Sequence, residues 1–150
     1  MNEITWRYKS FDELTSSELY EILKIRSEVF IVEQNCPYQD VDGKDAKSFH
    51  LRGWIEDLPV AYVRIIPPGI SYKEASIGRV LTVMSQRKNG TGKLLMEKAI
   101  EHTLREFNVT EIKIGAQLYL EKFYKSLGFN QTSPQYLEDG IPHIEMLYTK

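Results

Sequence analysis

With one cysteine, Cys36, the chain has no internal disulfide, which fits a reducing compartment. No apolar run approaches the ~20 residues of a membrane-spanning helix. Met1-Asn2-Glu3-Ile4-Thr5-Trp6 lacks the basic-then-apolar order of a secretion signal. The expected location is the cytoplasm, with no membrane partner. Excess charge is missing too: 19 basic against 21 acidic residues leave a net charge of −2, so no overall pull toward nucleic acid is expected. His50, His102 and His143 are far apart and no C-x-x-C or H-x-x-x-H spacing occurs, so no metal is expected. Repeats, low-complexity tracts and interdomain linkers are absent. What remains is 150 residues, 42% apolar and 27% charged, the length and composition of one globular domain over 1–150.

The most informative stretch is 77–107. Ile77-Gly78-Arg79-Val80-Leu81-Thr82-Val83 is β-branched and alternating, which predicts a strand. Beyond the loop Arg87-Lys88-Asn89-Gly90-Thr91-Gly92, residues 93–107 carry Leu95, Met96, Ala99, Thr103 and Phe107 on one side of a 3.6-residue period. A helix starting there presents unpaired N–H groups, where the macrodipole favours negative charge. Gly90 and Gly92 let a phosphate approach the backbone, and Arg87, Lys88 and Lys93 add positive charge. The stretch fits a pyrophosphate cradle, although glycines that only shape the turn would look the same. A Walker A loop is excluded, because Arg87 and Leu94 stand where it needs glycine and Ser or Thr. A dinucleotide fingerprint would need a third glycine at Leu95.

Ile4, Trp6 and Tyr8 alternate as a first strand, and Thr15-Ser16-Ser17-Glu18 matches a capping box. The helix it starts has an apolar face of Leu19, Ile22, Leu23, Val29 and Phe30, with Arg26 at the edge. Residues 32–47 read as connection. Asp40, Asp42 and Asp45 read there as solvated loop acids, because a calcium-loop register puts Tyr38 and Phe49 where acids are needed. Residues 49–55 and 59–66 predict a strand pair turning near 56–58. After the central helix, 111–116 alternates as a strand, so strand, helix and strand imply a right-handed parallel crossover. Its strands splay at their carboxyl ends and leave a crevice beside the glycine loop. A short helix over 118–127 stops at Gly128, and 129–148 reads as two strands joined across Asp139-Gly140. The fold class is a mixed α/β (α+β) domain: a mostly antiparallel sheet with one splayed parallel pair and helices on both faces.

Single residues carry less. His102 falls on the polar side of its helix and reads as solvated surface. Cys36 has no sequence-local base and reads as a packed loop thiol. Tyr124 flanks the stripe of Leu120, Phe123 and Leu127, which suits a packed ring with its hydroxyl at the rim. Arg64 and Arg79 sit in apolar stretches of adjacent strands and need acidic partners, Glu33 or Asp42 as scaffold, or an acidic substrate.

Arg-x-x-Gly-x-Gly between this strand and this helix resembles the acetyl-CoA signature of the GNAT acyltransferase superfamily. The block Phe123-Tyr124-Lys125-Ser126-Leu127-Gly128-Phe129 is similar to that family's FY-x-x-x-GF. More narrowly, the run from Arg26 to Tyr38, Ala61-Tyr62-Val63-Arg64, Ile77-Gly78-Arg79-Val80, Gly115-Ala116-Gln117 and Tyr136 to His143 resemble its ElaA-type subgroup. These blocks run in order from about residue 19 to the C-terminus; the ordered set is specific where the glycine loop alone is not.

The resemblance implies an N-acetyltransferase that moves an acetyl group from acetyl-CoA to a primary amine by direct attack. The cosubstrate would lie in the crevice, its pyrophosphate over residues 88–93 and its pantetheine along Leu81, Thr82 and Val83. Gln117 and Phe123 would add to the walls. A strand N–H near Leu81 would polarise the thioester, and Tyr124 would act as general acid. The base stays open among Glu33, Asp40, Asp42, Glu138 and His143, as do the acceptor and assembly into a homodimer. Two alternatives stand beside this reading. One is a non-catalytic CoA-sensing module. The other is an acyl-homoserine-lactone synthase, which the short C-terminal half disfavours.

Overall fold

The computed structural model describes residues 3–150. Its strands are β1 (Thr5–Ser10), β2 (Phe49–Ile55), β3 (Leu58–Ile66), β4 (Ser76–Thr82), β5 (Glu111–Gln117), β6 (Phe129–Gln131), β7 (Tyr136–Glu138) and β8 (Ile141–Thr149). The α-helices are α1 (Ser16–Arg26), α2 (Thr91–Phe107) and α3 (Glu121–Ser126), and a π-helical stretch, Ser27–Glu33, extends α1. None of the described helices is long and apolar enough to cross a membrane.

Strands β1 to β4 form one antiparallel sheet in chain order, and β5, β8 and β6 form a second, with β7 also on β8. The sheets meet at one parallel contact, Ala75 beside Ile112, where the Lys113 N–H donates to the Ala75 carbonyl at 2.9 Å. Beyond it β4 and β5 part, as expected of the splayed pair. The tail departs from expectation in having three strands rather than two: β6 and β7 both pair with β8, β7 as its hairpin partner. The hairpin turns on Asp139 and Gly140, both left-handed at φ +50° and +76°, which matches the twist of an antiparallel pair.

Helix α2 buries Leu95, Met96 and Ala99 against Val63, Ile65, Ile77, Ile112 and Ile114, the main core. On the other face of the first sheet, Ile22, Ile25 and Val29 pack with Tyr62 and Leu81. Strand β3 is therefore covered on both sides, which is why its buried run from Val60 to Ile66 does not alternate.

Two expectations about charge are corrected. Arg26 lies four residues after Ile22, in the middle of the buried face, and is fully buried rather than at an edge. Two of the three acids expected to be solvated are not: Asp40 and Asp45 are buried, while Asp42 stays exposed at the rim. Together with Asp42 they close a ring of alternating charge. Arg26 contacts Asp45 at 2.7 Å and Asp40 at 2.8 Å; Arg64 contacts Asp45 at 2.9 Å and Asp42 at 2.8 Å. Arg79 closes the ring on Asp40 at 2.8 Å and Asp42 at 3.2 Å. Every arginine meets two aspartates and every aspartate two arginines. Burying such charges singly would be prohibitive, so the helix and both strands can present their arginines inward only because the loop follows with carboxylates. His102 is corrected too: it is half-buried, stacked on Tyr8 with centroids 4.2 Å apart.

Candidate active site

Two clefts open where β4 and β5 part, one of about 590 Å³ and one of about 390 Å³. They share walls at Phe30, Gln34, Val80, Gln117, Leu120 and Tyr124. The first runs past Leu81, Thr82 and Phe123 to Lys88, Gly90, Gly92 and Lys93. The second is bounded by Tyr38, Asp42, Lys44, Arg79, Glu138 and His143.

At the far end of the first cleft, α2 begins without a side-chain cap or an acidic residue. Its cap residue Gly90 is left-handed at φ +81°, and the first bond into the helix runs from the Leu94 N–H to the Gly90 carbonyl at 3.1 Å. The N–H groups of Thr91, Gly92 and Lys93 come before it, with no turn of helix behind them to accept. A Cβ on Gly92 would touch only Phe123, at an ordinary 3.9 Å, so internal packing does not require glycine there. The space it leaves lies beside the open amides, where a phosphate group fits. Lys88 and Lys93 have no carboxylate partner among the described residues.

Arg87 behaves differently from these lysines. Its guanidinium donates to the Thr82 carbonyl, at 3.1 Å from Nε and 2.9 Å from a terminal nitrogen, and pairs with Glu33. The hydrogen bond from Arg87 holds the Glu33 carboxyl below the usual range, making it a poor base. Arg87 thus ties the π-helical stretch to β4 instead of adding free charge to the cradle. Asn89 and Thr91 line a groove on the far side of the loop with Trp6 and Leu94. Val83 donates its N–H to the Val60 carbonyl at 2.9 Å, as the last rung of the ladder.

That rung sets the direction of every backbone group before it. Leu81 pairs with Tyr62 two residues earlier, so the alternation of an antiparallel ladder commits Leu81 to β3. Val80 and Thr82 then turn toward the gap, and Arg87 occupies the Thr82 carbonyl. The gap-facing donor expected near Leu81 therefore moves one residue, to Val80. A bulge lies just ahead, with Arg79 left-handed at φ +51° and the register shifting between Tyr62 and Arg64.

Tyr124, on α3, stands between the clefts. It is 7% exposed and packs edge-on against Phe123 and Phe129, with centroids at 5.2 and 5.9 Å. Burial pushes the pKa of its hydroxyl above the ordinary phenol value, with no hydrogen bond contributing. Tyr124 is therefore protonated at neutral pH.

In the second cleft, His143 is buried with Nδ1 2.7 Å from the Ile141 carbonyl. A carbonyl only accepts, so Nδ1 carries a proton, and in the neutral ring the lone pair is on Nε2. Glu138 Oε2 is 3.5 Å from Nε2, placed to complement the ring once it carries a second proton. The other acids named as bases, Asp40 and Asp42, are held in the ring. Burial alone would raise the Asp42 carboxyl, but Arg64 holds it well below its ordinary range. Arg79 borders this cleft and Arg64 does not, and both guanidiniums are committed to aspartates, the scaffold arrangement. Sequence reasoning missed Val80 and Lys44. A bulge leaves no residue signature, and Lys44 stands out only once its neighbours' charges are assigned.

Parted parallel strands, a bare helix start and a second cleft meeting the first at a tyrosine define an acyl-CoA-dependent acyltransferase architecture. The model of the Acetyltransferase (GNAT) domain matches residues 24–150, and the chain belongs to this family, within its ElaA-like group. It is 41% identical to Protein ElaA of Escherichia coli over 145 residues, 95% of each chain. The crystal structure of that protein superposes with a TM-score of 0.91, at 40% identity, covering 97% of this chain and 99% of the other. An acyl-CoA N-acyltransferase from Pseudomonas aeruginosa superposes at 0.93, with 39% identity, over 98% of this chain and all of the other (100%).

Proposed function

We propose that this protein transfers an acetyl group from acetyl-CoA to a primary amine by direct attack. The observation that carries this reading is the meeting of the two clefts at Tyr124. A module that only sensed CoA would need the first cleft and no second. Acetyl-CoA brings an activated thioester. The open amides of residues 91–93, with Lys88 and Lys93, suit its phosphates, and Phe123 and Gln117 wall its path. The Val80 N–H faces the gap as a single fixed donor for charge developing on a carbonyl oxygen. His143 Nε2 accepts the proton that the attacking amine must lose, and Glu138 balances the imidazolium. The Tyr124 hydroxyl holds a proton at the junction for a departing thiolate. Burial raises the pKa of both phenol and thiol, so the low dielectric that weakens the acid also makes the thiolate more basic. A single free cysteine suits a cytoplasmic setting.

The test is a screen of primary amines for release of free CoA thiol, run beside calorimetric binding of CoA. Turnover with at least one amine is expected. Binding without turnover across the screen would overturn catalysis in favour of sensing.

A further inference from the structure

The second cleft carries information about the acceptor. Of the charged side chains on its walls, Asp42 and Arg79 belong to the closed ring and are mutually neutralised. Lys44 is not. Its Nζ meets only the Ser71 hydroxyl, at 3.0 Å, and no carboxylate among the described residues. Its backbone is fixed on both sides: the Lys44 N–H donates to Asp42 Oδ1 at 3.1 Å, and the buried Ser48 hydroxyl donates to the Lys44 carbonyl at 2.6 Å. A half-buried ammonium is thus held beside the cleft without a counter-ion, while Glu138 and His143 border the same cleft from the β7–β8 hairpin.

We infer that the acceptor is a small primary amine bearing a carboxylate, with Lys44 receiving the carboxylate and the amine directed to His143 and Glu138. This rests on the acetyl-transfer reading above. A simple amine would complement the Glu138 side and leave Lys44 unbalanced; a molecule with both charges answers both. One ammonium matches a single negative charge. A cleft of about 390 Å³ suits a molecule the size of one or two amino-acid residues.

The experiment compares ω-amino acids with their carboxamides, because the remote carboxylate changes the amine's basicity little. CoA release gives kcat and KM, and calorimetry with CoA present gives binding. Wild type should favour the acid over its amide by about tenfold or more in kcat/KM, the worth of one charge-assisted hydrogen bond. Lys44→Gln should bring that ratio close to one, chiefly through KM, and Lys44→Arg should restore it. No preference for the acid in wild type, or a preference that survives Lys44→Gln, would overturn the assignment. So would an amine bearing a phosphonate that outcompetes the acid. If acetyl-CoA binds but no pair is turned over, acetyl transfer fails while calorimetry still decides the acceptor. Acid binding lost in Lys44→Gln supports the inference, and no acid binding in wild type refutes it.

Discussion

Two helix starts in this molecule are treated in opposite ways. At α1, Thr15 Oγ1 accepts from the Glu18 N–H at 3.1 Å and Glu18 reaches back to the Thr15 N–H at 2.9 Å, closing the end internally. At α2 no side chain caps the end, and the amides stay open. The charges divide in the same way. Arg26, Arg64 and Arg79 are each paired with two aspartates, while Lys44, Lys88 and Lys93 meet no carboxylate among the described residues. Where the protein satisfies its own polar groups it is holding itself together; where it stops, it is prepared for something else. Damage to the closed set should therefore cost stability, and damage to the open set should cost ligand or turnover.

The largest effect should come from the open set. Tyr124→Phe removes one hydroxyl and keeps the packed ring, so melting temperature and CoA affinity should hold. Turnover should fall by about 10²–10⁴-fold in both kcat and kcat/KM. A folded variant with near-normal turnover would return Tyr124 to a packing role.

Next comes the ring. Arg26→Met leaves Asp40 and Asp45 buried with one cation fewer, which should cost about 3–5 kcal/mol in urea unfolding. Acid should act on the same parts. Burial would raise the Asp45 carboxyl, but Arg26 and then Arg64 hold it below its ordinary value. The unfolded chain then takes up protons first, so this stability is fully present above about pH 4 and is lost as pH falls through the lower folded value. Acid unfolding that begins well above pH 4 would implicate other groups.

Third, acetyl-CoA at ~100 times its dissociation constant should stabilise the fold by about 2.7 kcal/mol. Gly92→Val, which places a branched side chain beside the open amides, should abolish that shift while folding normally. An undiminished shift in the variant would move the phosphates elsewhere.

The smallest effect tests the closed helix start. Thr15→Ala should cost about 1 kcal/mol and leave CoA affinity untouched. A change in affinity would show that the two helix ends are coupled.

The elements themselves were legible because local chemistry sets them. The box at Thr15, the 3.6 period of α2 and the Asp139-Gly140 turn each depend on neighbours in sequence. The ring was not legible. Arg26, Arg64 and Arg79 look anomalous singly, and their partners lie in a loop that reads as polar connection. In the candidate site, the glycine loop was legible from its residues, and Tyr124 only through the resemblance of its block to the family's. The gap-facing donor at Val80 could not, because it depends on which face of the ladder Leu81 occupies. Arg87 looked like one more cradle cation until Glu33 and the Thr82 carbonyl were seen to hold it.

The contact between Ala75 and Ile112 marks where the two sheets stop running together. The chain that leaves β4 to reach β5 passes through α2, whose first turn lines the opening and whose buried face packs on both Ile77 and Ile112. The gap that offers room to a ligand is thus walled by the same packing that joins the sheets.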